Sequence, residues 1–371
     1  MMGESNQDDG SIGNSLSESS STEFNSEMLV LARGKEGLSQ SALAKKLKWT
    51  QSKLSKVESG LVDPSVQDIR DFCEILAINE RLLFATESRQ GFGSACDVFH
   101  RKRNSTPAKA VNKLRDQLNF RRIQVKKLVG NLEIETDYSF PELDIDAYED
   151  PEQIAQLVRA TWQIPHGPIK NLVYLVEQAG GFVLSHAMPH DRIDAVSQFP
   201  RSEFGGPIVL LNDAIPVDRW RLTLAHEIGH LVMHRHPTSD LEAEANRFAA
   251  ELLMPADEIS DDLADISLRS AARLKLKWRV SMQALVYRAK QLEIISESRY
   301  KSLFVQMSRM GYRKNEPVDL SPEKPKAFKA LLKFYENELD YSEEQLADLM
   351  LTTTQEFTED FKEKRRLRLL K

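Results

Sequence analysis

Apolar residues recur at i, i+3 and i+4 along most of this chain, and Ser, Thr, Asn and Pro cluster at the breaks between those runs. That periodicity predicts a mostly helical protein. Phe24–Phe84 reads as a series of short helices, and a further helical pattern starts at Thr106 (Val111, Leu114, Leu118, Val125, Leu128). Pro151–Trp162 and Ile169–Gly180 read as helices. Two β-like runs follow, Gly181–Ser185 and Ile208–Leu211, the second set up by Gly205-Gly206-Pro207. A long helix is expected over Val217–His234, then a turn at Pro237-Thr238-Ser239. The next helix, Asp240–Leu253, should stop at Met254-Pro255, because proline cannot continue it. Beyond Leu268 the pattern is again helical, with a proline-rich joint at Pro317–Pro325 and a basic end over Lys362–Lys371.

Length and charge refine this picture. A chain of 371 residues can hold two or three cores. Its net charge of −6 comes from one place, since residues 1–27 carry six acids and no Lys or Arg. This Ser/Asn/Gly-rich tail is too polar to bury a core, and the body behind it is neutral. Between His100 and Lys127 lie ten bases and one acid, Asp116. Such a run reads as a solvated linker helix more readily than as an extra phosphate-binding surface. Pro141–Pro151 is acidic and proline-bounded, a plausible linker by composition. Two cysteines, Cys73 and Cys96, form no disulfide framework. With no secretory segment and no long apolar run at hand, the expectation is a soluble, cytoplasmic protein with no membrane partner.

The strongest chemistry is His226-Glu227-Ile228-Gly229-His230. On a helix, residues four apart stand one turn above each other, about 40° out of line, so both imidazoles can reach one tetrahedral ion. Glu227 between them suits a general base, and metal-assisted peptide hydrolysis needs that pairing of an ion with a proton acceptor. The bland alternative is two surface histidines on an amphipathic helix. Four of the eight histidines fall between 226 and 236 on an otherwise apolar helix, which argues against it. For the third ligand two readings compete. His236 has the spacing of a three-histidine site, but that geometry breaks the helix at a glycine, where this chain has Met233. A carboxylate from Asp240–Leu253 is the other reading. Glu242 shares a face with Asn246, which can orient a ligand histidine, whereas Glu244 points about 160° away.

Thr223–His230 together with Glu242-Ala243-Glu244-Ala245-Asn246-Arg247-Phe248-Ala249-Ala250-Glu251-Leu252-Leu253-Met254-Pro255 resembles the ImmA/IrrE family of metallo-endopeptidases over roughly residues 150–300. Pro207–Asn212 and Arg219–Arg221 resemble it too. The resemblance implies a gluzincin-type site with Zn2+ on His226, His230 and Glu242, and Glu227 as general base. It also implies a substrate strand antiparallel to Pro207–Asn212. His234 fits the family pattern with a packing or ligand-orienting duty. For the oxyanion, His186, His190, Tyr287 and Arg288 are of the right type, and nothing in the sequence chooses among them.

A second motif precedes it. Ser39 caps a helix with Leu43, Ala44 and Leu47 inward, Trp49-Thr50 forms a turn, and Gln51–Glu58 follows with Leu54 and Val57 inward, closed by Ser59-Gly60. This resembles the Cro/C1-type (XRE family) helix-turn-helix, and Met28–Gly60 holds seven bases and two acids. Gln40, Gln51, Ser52, Lys53, Ser55 and Lys56 are the expected DNA contacts. A second Lys-Leu-Lys-Trp, at Lys275–Trp278, echoes Lys46–Trp49 in an out-of-register way that reads as chance or shared helical logic.

The resulting expectation is a multidomain chain. A disordered acidic tail (1–25) leads into an all-α helix-turn-helix domain (26–87) and a basic helical linker region (88–150). A mostly helical α+β zincin-like, gluzincin-type peptidase domain (151–300) and a helical C-terminal region (301–371) follow. Function is expected to be zinc-dependent, site-specific cleavage of a transcriptional repressor, in trans or its own, in stress, mobile-element or toxin–antitoxin regulation. The partners are operator-type duplex DNA, that protein substrate, and a second copy in a homodimer. The competing expectation is a non-enzymatic transcriptional regulator using the peptidase fold as a sensor or partner-binding domain, which would have no need of Glu227.

Overall fold

The computed structural model describes residues 23–90, 107–130, 132–148, 150–200, 206–234 and 240–362. The expected tail, Cys96, His236 and the turn at 237–239 lie outside these residues, as does most of the basic end.

Four helices open the fold: α1 (Ser26–Lys35), α2 (Gln40–Lys46), α3 (Gln51–Glu58) and α4 (Val66–Leu76). Each begins where a short polar side chain accepts a backbone N–H: Asn25, Ser39, Thr50, and Ser65 in a capping box with Asp68. The α2–α3 turn passes through Lys48 at φ 58°, a left-handed position more often held by glycine. These helices bury Met28, Leu31, Leu43, Leu54, Val57 and Phe72 in one core.

That core does not close on itself. Phe120 and Ile123 of α5 (Ala108–Val129) and Leu351 near the C-terminus complete it. The basic run therefore does more than link. Leu114, Leu118, Phe120, Ile123, Val125 and Leu128 of α5 are buried, and Arg121, Lys126 and Lys127 pair with acids of the protein. Arg121 pairs with Asp360, Lys126 lies 2.9 Å from Glu87, and Arg122 is fully buried with its guanidinium donating to the Ser88 carbonyl at 2.5 Å. This face is a packed strut, so the reading of a solvated helix is corrected here.

Next come α6 (Pro151–Thr161), α7 (Leu172–Gln178) and a sheet of β1 (Phe182–His186), β2 (Ala195–Gln198) and β3 (Ile208–Asn212). The two expected runs form β1 and β3; β2 is an addition. Strand order is β1-β3-β2, with β3 parallel to β1 and antiparallel to β2. Alternation along the strands sorts side chains to two faces. Val183, Ala195, Val209 and Leu211 meet the core of α8 (Val217–Met233) and α9 (Leu241–Leu253). Phe182, Val196, Ile208 and Leu210 meet α5 and the C-terminal helices α14 (Ala327–Asn337), α15 (Glu343–Leu349) and α16 (Thr354–Phe361). The sheet is thus a middle layer.

Between these layers in sequence lie α10 (Ala256–Leu263), α11 (Leu268–Trp278), α12 (Met282–Gln291) and α13 (Glu297–Arg309). The α11–α12 turn repeats the α2–α3 geometry: Arg279 sits at φ 57° two residues before a capping Ser281, as Lys48 does before Thr50. Aligned on those turns, the two Lys-Leu-Lys-Trp quartets fall two positions out of step. The quartets do not occupy matching positions, while the turn conformation and the cap that follows it are shared.

Candidate metal centre and nucleic-acid interface

α8 carries His226, Glu227 and His230, and α9 returns beside it. The two helices approach closely because residue 229 is glycine: a Cβ there would lie 2.9 Å from the ring of buried Phe248 and 3.4 Å from the Ala245 Cα. This closeness brings Glu242 to the histidines. His226 Nε2 and His230 Nε2 are 3.0 Å apart, and the Glu242 carboxylate lies 3.5 Å from the first and 3.3 Å from the second. One ligand atom from each residue falls within 4.8 Å of the others, a set able to hold a metal ion. Two imidazole nitrogens and a carboxylate oxygen are the donor set of a three-ligand zinc site with a fourth position open. His230 is buried, and the Glu242 side chain, 38% exposed, forms the open rim.

Each histidine is also held from behind. His226 Nδ1 is 3.1 Å from Asn246 Oδ1, the partner expected from the Glu242–Asn246 spacing. His230 Nδ1 is 2.8 Å from His234 Nδ1, and His234 Nε2 is 3.0 Å from Glu244 Oε2. Glu244 therefore reaches the site through His234 and stands outside the ligand group.

Glu227 is buried and turns toward β2, where the Ser197 hydroxyl donates to its Oε2 at 2.5 Å. Burial pushes the Glu227 carboxyl up to about 7, opposed by the Ser197 hydrogen bond and reinforced by the negative charge of Glu242. A carboxyl poised there suits proton transfer near neutrality. Ser197 went unread in the sequence because four residues buried on both faces show no alternation.

The expected docking of a substrate strand on Pro207–Asn212 is corrected by the sheet. β3 is the central strand, paired on both edges, so no strand can add to it. The edge strands are β1 and β2, and β2 carries Ser197. Among the oxyanion candidates, Arg288 is buried and paired with Glu251 while donating to the Met254 carbonyl at 3.1 Å. His186 lies on β1, across the sheet from β2, 3.2 Å from Gln117. His190 accepts from the Arg192 N–H, and Tyr287 is exposed on α12.

Among the N-terminal helices, α3 buries Leu54 and Val57 and exposes Gln51, Ser52, Lys53, Ser55 and Lys56. Gln51 donates to Gln40 Oε1 at 3.3 Å, and Gln40 donates to Glu58 at 2.9 Å. Glu58 in turn takes two hydrogen bonds from Arg33, at 2.5 and 2.9 Å. The first residues of α2 and α3 are thus tied together, and Lys53 lies 3.5 Å over the Trp49 ring.

Comparison with known families agrees with this two-part layout. Residues 176–290 match the profile of a peptidase family described as an IrrE N-terminal-like domain, and residues 28–83 match a helix-turn-helix domain. The chain thus has an N-terminal helix-turn-helix joined to an ImmA/IrrE-type domain. No curated protein matches it. No described helix is long and apolar enough to cross a membrane.

Proposed function

We propose that this protein is a zinc-dependent endopeptidase carried on a sequence-specific DNA-binding module, and that it cuts a repressor-type protein. The carrying observation is the convergence of His226, His230 and Glu242 beside a buried carboxylate on the same helix. His226, His230 and Glu242 would hold a zinc ion, which would supply Lewis acidity toward water and the scissile carbonyl. Glu227 takes the proton of the attacking water on its carboxylate and returns it to the leaving amine nitrogen. Ser197 holds Oε2 and leaves Oε1 for that transfer. The exposed face of α3 supports the DNA role, with Gln51, Ser52 and Ser55 toward base edges and Lys53 and Lys56 toward phosphates. A repressor is the substrate class that fits a peptidase joined to an operator-reading module.

The test compares new protein N-termini in cells expressing the wild type and Glu227→Gln. One cut at a defined bond, present only with the wild type and lost on chelation, supports the reading. Identical N-termini in both leave the non-enzymatic regulator as the better account. For the DNA module, Lys56→Ala is expected to weaken binding about equally across operator sequences. The slope of log K against log salt should also fall by about one; titrations at four salt concentrations check this.

A further inference from the structure

The residues behind the ligands form a chain whose direction is fixed by chemistry. A neutral imidazole has one N–H and one lone pair. For His226 and His230 to present lone pairs at Nε2, each must carry its hydrogen on Nδ1. For His226 that N–H faces the Asn246 side-chain oxygen. For His230 it faces His234 Nδ1, which must then be the lone pair of that ring. The His234 hydrogen is left on Nε2, facing Glu244 Oε2 at 3.0 Å. An ionised carboxylate only accepts, so the chain can end there and nowhere else. In the reverse direction, His234 would point a lone pair at the carboxylate and His230 would carry a hydrogen toward Glu242. Both contacts set like against like or block the ligand atom.

We propose that Glu244 and His234 are positioning residues that select the metal-binding tautomer of His230, a carboxylate–histidine–histidine relay ending at the metal. The proposal rests on reading His226, His230 and Glu242 as a metal site. The fold builds it from two registers: His226 and His230 on α8 and His234 at its C-cap recur every four residues, and α9 returns with Glu242, Glu244 and Asn246. The His234 side chain is fully buried and that of Glu244 is 20% exposed, where a charge-assisted hydrogen bond is stronger than in water. Groups that orient ligand histidines in this way commonly change metal affinity 10–100-fold.

The experiment uses the full-length protein with zinc alone as ligand. Zinc affinity is measured by competition with a chromophoric chelator for the wild type, Glu244→Ala and Glu244→Gln, alongside metal-free melting temperatures. Ring-nitrogen NMR of the metal-free protein reads the tautomers. Glu244→Ala is expected to weaken zinc about 10–100-fold. Glu244→Gln, which keeps an acceptor and loses the charge, should weaken it less, with melting close to wild type. His230 should carry hydrogen on Nδ1 and His234 on Nε2, and Glu244→Ala should mix the two forms at His234. Zinc affinity in Glu244→Ala within twofold of wild type, or hydrogen on His234 Nδ1 in the wild type, overturns the relay and leaves the metal site standing. A wild type that binds no zinc overturns both.

Discussion

Glu227→Gln is expected to lower kcat for cleavage by about 10²–10⁴-fold, while zinc stays at one ion per chain and operator binding is unchanged. The amide keeps nearly the shape of the carboxylate and still accepts from Ser197, but it cannot take a proton. Glu242→Ala is expected to act on the other half of the site. It removes one of the three proposed ligands, so zinc should be lost on desalting and cleavage with it. The two variants separate proton transfer from metal binding, which a chelator alone does not do. Metal analysis of both proteins, with a cleavage assay on the substrate found in cells, checks this. Full activity in Glu227→Gln would remove Glu227 from the mechanism.

Glu323→Ala is expected to destabilise the peptidase core by about 3–5 kcal/mol. The Arg221 side chain has no exposed surface, and its guanidinium pairs with Glu323, itself 3% exposed. The same carboxylate accepts the backbone N–H groups of Leu172 and Val173 at 2.8 and 3.1 Å, and Arg279 lies 3.6 Å away. Removing it leaves a buried cation uncompensated and two helix-terminal donors without their acceptor. Arg221 lies on α8 five residues before His226, so the loss should also loosen the metal helix. Urea denaturation measures the shift; Glu323→Gln, which retains an acceptor, should lose less. Equal midpoints for wild type and Glu323→Ala would show that the pair adds nothing.

What could be read in advance follows from where the information sits. The proposed ligands lie on two helices, and helical periodicity places side chains in angle from sequence alone. His226 with His230, and Glu242 with Asn246, are therefore legible as pairs, and Met233 in place of a glycine reads against a broken helix; α8 ends at Met233 with His234 as its C-cap. Strand order has no such signature. β2 is four residues long and wholly buried, so neither its existence nor the central place of β3 shows in local pattern. Ser197 was hidden for that reason. Charge misled for another: the bases of α5 look solvated until their partners, Asp360 and Glu87, are brought in from distant sequence. Glu323 is a similar case, since it sits in a proline-rich joint about 100 residues from Arg221.

The way the helix-turn-helix is fastened bears on the kinetics of the cut. α5 completes its core, Lys35 meets Glu356 at 2.6 Å, and Asn79 donates to Asp348 at 2.8 Å and to the Thr352 carbonyl at 3.1 Å. Swinging this module away from α5 and the C-terminal helices would break all of these contacts and open its core to water. The reaction should therefore be second order, its rate set by the product of enzyme and substrate concentrations. A unimolecular self-cut, indifferent to dilution, is what this attachment disfavours.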